Sequence, residues 1–235
     1  ENTIGADPIN DFNFPAEHSD SFLGKIVLNN GVVRFKSSQA NQVFSLGQPV
    51  TEMTIFQDKK VVVLEHKSLR WFIIKRGDKY ALRLRDLDGE YVRNFKGITY
   101  FPLDPSWRIV AKFVPTKGKQ LRITDITGRT FLEDSPGVLH FTKGGKKFTL
   151  EAGGTVDEFF IVFGDLTNKK STYGGGRFLY ANAPDKDGNV ILDFNKSLNP
   201  PCEFTPFATC PLPTKENKMN VEVDAGEKST GFSKH

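Results

Sequence analysis

Tyr173-Gly174-Gly175-Gly176-Arg177 places three glycines directly before an arginine, and Asp193, Asn195, Asn199, Glu216 and Asn217 follow in the same C-terminal stretch. Glycines in a row permit positive φ or the close approach of a backbone or ligand. A guanidinium offers a planar fork that matches a carboxylate or carbonyl. Two uses of this set are open. Arg177 and Asp193 can form an internal ion pair at one end of a hairpin, tying the glycine turn to the segment after it. Alternatively, Arg177 can act as donor in a clamp for a small anionic or carbonyl-containing ligand. Asn195 and Asn199 are then neutral partners, and Tyr173, the three glycines, Glu216 and Asn217 complete the site. A hydrolase- or lyase-like reaction would use Asp193 or Glu216 as base and Arg177 as electrostatic stabiliser. Glu227 is a further acid in the same region. No Gly-x-Ser-x-Gly, His-Glu-x-x-His or triad pattern supports a specific enzyme class. The glycines lack the Lys-Ser/Thr of a phosphate loop and the βαβ setting of a dinucleotide site.

Cys202 and Cys210 stand in a proline-rich run, Pro200-Pro201-Cys202 to Cys210-Pro211-Leu212-Pro213. A disulfide between them would close a short loop, worth about 2–3 kcal/mol in the chain-entropy model. Two buried free thiols are the next reading. A zinc site is a weaker reading, because the four histidines, His18, His66, His140 and His235, show no ligand pattern, and a nucleophilic thiol needs a base although no His is close in sequence. No metal and no cofactor is expected. The prolines stiffen the run, which can hold polar groups against a sheet or simply cover a barrel end. Phe204 and Phe207 could instead make a protein contact.

Strand signals must position these residues. Gly24–Leu28, an Asn29-Asn30-Gly31 turn and Val32–Phe35 predict a hairpin. Further apolar or alternating runs lie at 61–64, 71–75, 80–86, 109–114, 120–124, 138–142, 147–151 and 158–164, with turns at Thr127-Gly128, Gly144-Gly145 and Asp187-Gly188. Arg83 and Arg85 share one strand face. No segment sustains a helical period, and only short helical turns are expected near Pro105–Trp107 and Asn195–Leu198. The fold class is therefore all-β, an antiparallel sandwich or barrel in two packed subdomains, 1–95 and 96–235.

Phe supplies 21 of the 235 residues, which suits β packing. The net charge of +4 comes from 32 basic and 28 acidic residues spread along the chain, so the basic stripe of a nucleic-acid binder is not expected. No run reaches the length of a membrane-spanning helix. The chain begins Glu1-Asn2-Thr3 without an initiator Met, which suggests an expression boundary or a processed export signal.

Five segments together resemble DUF1684, a bacterial and archaeal family without an established function. They are Ile73–Asp78, Leu82–Asp86, Tyr100–Arg108, Thr172–Leu179 and Asp193–Glu227, and the Asn-Pro-Pro-Cys to Cys-Pro-Leu-Pro stretch is the most specific. The resemblance implies a stand-alone bacterial protein, often exported through a signal peptide or lipoprotein signal. The expected location is thus periplasmic or envelope-associated, with the cytoplasm as alternative. Members typically carry a Trp- and Leu-rich segment ahead of the stretch that begins here at Glu1. The opening Asn2–Pro15 is also similar to that of forkhead-associated domains, β sandwiches that bind phosphothreonine. Position 6 is Ala where those domains need Arg, so the likeness implies a sandwich and not phosphopeptide binding. The function expected is an extracytoplasmic ligand-binding module, with an enzyme or a structural role as alternatives.

Overall fold

The Asn-Gly hairpin forms as its sequence requires: strands Gly24–Asn29 and Val32–Ser37 pair antiparallel, and Asn30 and Gly31 take φ of 46° and 82°. The computed structural model describes residues 1–232, and the chain divides into two compact units, Glu1–Phe95 and Lys96–His235. In the first unit a six-stranded and a five-stranded sheet share one core. Ile4, Ile26, Phe35 and Ile55 come from one sheet, and Leu64, Leu69, Trp71 and Ile73 from the other. Phe14 meets Trp71 edge-on at 5.3 Å. The apolar run 61–64 is divided between the two sheets, Lys60–Val61 in one and Leu64–His66 in the other. Arg83 and Arg85 do share a face, where the Arg85 guanidinium lies 5.1 Å from the Phe72 ring centroid.

The second unit is a curled antiparallel sheet of six strands. Their order is Arg177–Asn182, Glu158–Phe163, Lys146–Gly154, Gly137–Lys143, Arg108–Pro115 and Asn189–Asp193. The two edge strands are consecutive in sequence and come back beside each other, so the sheet nearly closes into a barrel. A separate hairpin, Gln120–Thr124 with Thr130–Asp134, stands beside it. Phe194 anchors the barrel core, with Trp107, Phe141 and Phe163 packed around its ring at 5.6, 5.9 and 5.3 Å. Among the described residues, helix is confined to one four-residue turn, Glu90–Arg93, and three 3-10 turns, Pro105–Trp107, Phe194–Lys196 and Pro201–Glu203. No helix among the described residues is long and apolar enough to cross a membrane.

The hairpin expected between the strand after the glycines and the one ending at Asp193 does not form. Asn189–Asp193 pairs with Arg108–Lys112, and Arg177–Asn182 pairs with Glu158–Phe163. The ion pair expected at the end of that hairpin is excluded by the alternation. Arg177 is in phase with the inward-facing Leu179 and Ala181, whereas Asp193 is in phase with the exposed Ile191. The two side chains leave the sheet on opposite faces.

Candidate functional site

Arg177 therefore points into the barrel, where its charge must be met by protein groups. The register Phe163↔Arg177 brings Asp165, just past the end of the neighbouring strand, to the guanidinium. Arg177 Nη2 donates to Asp165 Oδ2 at 3.0 Å and to the Val223 carbonyl at 2.9 Å; Nη1 donates to the Ala225 carbonyl. Both side chains of the ion pair are fully buried, and the Phe163 ring lies 5.2 Å from the guanidinium carbon. Asp165 Oδ1 accepts the Thr167 N–H at 2.8 Å, the Thr167 hydroxyl and the Val223 N–H at 3.2 Å. Burial pulls the Arg177 pKa down, and Asp165 opposes that pull. The acid paired with Arg177 is thus Asp165 and not Asp193, and the pair ties residues 223–225 to the barrel end.

Of the other polar residues predicted for the site, Glu227 meets Arg177 Nη1 only through its backbone carbonyl, at 3.4 Å, and the side chains of Asp193, Asn195, Asn199 and Asn217 hydrogen-bond elsewhere. Asp193 accepts the Asn195 N–H at 3.2 Å and caps the 3-10 turn Phe194–Lys196. Asn195 exchanges two hydrogen bonds with the backbone of Asp104, at 2.9 and 3.0 Å, and so fixes the turn Pro105–Trp107. The Asn199 N–H donates to Glu227 Oε2 at 2.6 Å, and the Asn199 side chain donates to the Lys228 carbonyl at 2.8 Å. Tyr100 donates to the other Glu227 oxygen, and that bond raises the phenol's pKa. Asn217 precedes residues 219–223, which form no helix or strand. It lies buried against Glu151 and Val162 of two barrel strands. Glu216 is exposed.

Cys202 and Cys210 are free thiols, both buried. Each backbone N–H donates to the other residue's sulfur, at 3.2 and 3.3 Å. Burial, and then the neighbouring Cys202 thiol, push the Cys210 pKa up to about 12. A neutral, buried thiol is a poor nucleophile. Iodoacetamide is expected to label neither cysteine in the native reduced protein and both in denaturant; fast native labelling would contradict this burial. A preparation that shows no thiol even when unfolded would report the disulfide. Among the described residues no three His, Cys, Asp or Glu side chains are grouped to hold a metal ion. Phe207 is exposed and Phe204 half-buried, while His235 lies outside the described residues.

What opens to solvent is a groove of about 460 Å³ over the glycine turn. Its lining combines Gly174–Gly176, Asp165, Lys169 and Lys218 with Leu166, Pro213 and Met219. Gly176 has φ +88°, and a Cβ there would stand 2.6 Å from both the Phe163 carbonyl oxygen and Pro213 Cγ. That close approach lets the proline run form one wall. A Cβ on Gly175 would meet the Tyr173 ring at 2.5 Å. The N–H groups of Gly174 and Gly175 have no acceptor among the described residues. Lys169 and Lys218 are exposed, and among the described residues neither has a carboxylate within salt-bridge distance. Two neighbouring grooves of about 430 and 540 Å³ share Lys119, Glu151 and Glu216. There the buried Glu151 accepts from Lys119 Nζ at 2.7 Å and from the Thr214 hydroxyl at 2.8 Å.

Asp165, Lys169, Lys218 and Glu151 were not singled out from the sequence. Asp165-x-Thr167 is a turn pattern that marks a strand end, a usable but weak signal. Nothing local joins Lys218 to the glycines; the parallel bridge Gly164↔Lys218 does so.

No curated protein matches the chain. Among solved structures, it is similar to the solution NMR structure of an uncharacterized protein of Haloarcula marismortui. The two are 27% identical with a TM-score of 0.50, over 61% of this chain and 80% of that one. The family model described as a protein of unknown function, DUF1684, matches residues 93–228, which hold the barrel, the Arg177–Asp165 pair and the glycine-lined groove. That match covers more than half of the sequence, and the chain belongs to the DUF1684 family.

Proposed function

We propose that this chain is a ligand-binding protein whose site is the glycine-lined groove, and that its ligand is a small anion or carbonyl compound. The observation that carries the reading is the convergence of the unpaired Gly174 and Gly175 amides with the exposed ammonium groups of Lys169 and Lys218 on one groove. Backbone amides in a tight turn and cations without counter-charges form an anion-binding concavity. Arg177 supports this site: it holds Asp165, which lines the groove, and both of its terminal nitrogens donate to protein acceptors, while its buried Nε has no partner among the described residues. The acid–base alternative is less well supported, since Asp193 is committed to capping and Glu216 lies in the neighbouring grooves.

The test is calorimetric and thermal titration with inorganic phosphate, acetate and pyruvate. At least one is expected to raise the melting temperature in a saturable way that weakens with salt. Changing Lys169 and Lys218 together to Ala is expected to weaken binding at least about tenfold, the scale of losing one charge-assisted hydrogen bond. Both residues are exposed, so the fold is expected to survive. Binding unchanged in that variant, or no saturable response to any of the three or to a longer carboxylate, would overturn the reading.

A further inference from the structure

We propose, resting on the groove reading above, that the ligand is an amphiphilic anion: a carboxylate or phosphate head joined to an apolar body. The groove has two chemistries. Gly174–Gly176, Lys169 and Lys218 supply amides and cations, and Leu166, Leu212, Pro213 and Met219 supply apolar wall. Leu166 is the informative member. It is 45% exposed, while its backbone N–H is fixed to the Val221 carbonyl at 3.0 Å, so its main chain is anchored where the side chain lines the groove. Pro213 is pressed against the glycine turn and cannot swing away to close the space. A volume of about 460 Å³ falls in the range of sites for whole small molecules, and a bare phosphate or acetate fills only part of it. A hydrated inorganic anion would use the cationic end and leave Leu166 in water. A molecule with an apolar body uses both ends, and hydrophobic contact rises with each methylene placed against the wall.

The experiment is a chain-length series, acetate, butyrate, hexanoate and octanoate, kept below micelle-forming concentrations and titrated against the full chain, with inorganic phosphate and octanol beside it. Affinity is expected to rise by up to about fourfold per methylene that becomes buried. Octanol is expected to bind far more weakly than octanoate. In a Leu166→Ser variant the dependence on chain length is expected to flatten. If phosphate and acetate bind and lengthening the chain adds nothing, this inference falls and the anion site stands. If octanol binds as tightly as octanoate, or the series survives in the Lys169/Lys218 double variant, the apolar groove stands without the anion site, and both proposals fail as written. No binding by any member removes both.

Discussion

Replacing Arg177 with methionine is expected to destabilise the second unit by about 3–5 kcal/mol, the usual cost of breaking a buried ion pair from one side. Methionine fills much of the volume but leaves Asp165 Oδ2 and the carbonyls of Val223 and Ala225 without the donors they have in the native chain. Lysine is not a conservative replacement, because one ammonium cannot reproduce a fork that meets acceptors on two segments. Asp165→Asn is expected to be nearly as damaging, since it leaves an uncompensated guanidinium inside the barrel. The double variant Asp165→Asn with Arg177→Met is then expected to lose clearly less than the sum of the two single changes. Urea denaturation of the four proteins checks this, read as midpoint shifts at constant slope. Unchanged midpoints, together with lost anion binding in Arg177→Met, would return Arg177 to the role of ligand clamp.

The parts of the fold that could be read in advance are those fixed by neighbours in sequence. Asn30-Gly31 and Gly144-Gly145 dictate their hairpins because both turns need positive φ, which the flanking strands then fix in register. The pairing of Arg108–Lys112 with Asn189–Asp193 is a contact between distant segments, and nothing local distinguishes it from the nearer hairpin partner. The alternation Arg177, Leu179, Ala181 was nevertheless visible, and it alone separates Arg177 from Asp193. The site was half legible for a related reason. Three glycines before a strand announce close approach, and Pro213 is what approaches. The lysines that give the groove its charge come from loops whose positions depend on barrel closure, and an unpatterned lysine carries no message of that kind.

Asn217 shows how one residue type can satisfy a site prediction for a structural reason, and its replacement is expected to have the second large effect. The strands Lys146–Gly154 and Glu158–Phe163 pair only at Gly153↔Phe160 and Gly154↔Phe159 and then part. Beyond that point Glu151 and Val162, each still paired to its outer neighbour, turn backbone groups toward a gap between the two strands. The Asn217 amide takes the place of the missing peptide: Oδ1 accepts the Glu151 N–H at 2.7 Å, and Nδ2 donates to the carbonyls of Glu151 and Val162, both at 2.9 Å. Removing it leaves three buried backbone groups unpaired, at about 1–3 kcal/mol each, so Asn217→Ala is expected to cost at least about 3 kcal/mol. Asn217→Asp is expected to be worse, because an ionised carboxylate has no donor and would face two carbonyl oxygens. The same gap admits the chain at Lys218 beside Gly164, so the amide also sets where one groove lysine stands. Stability and anion affinity are therefore expected to fall together in Asn217→Ala. A variant with native stability and lost affinity would show that Asn217 contacts the ligand rather than the barrel.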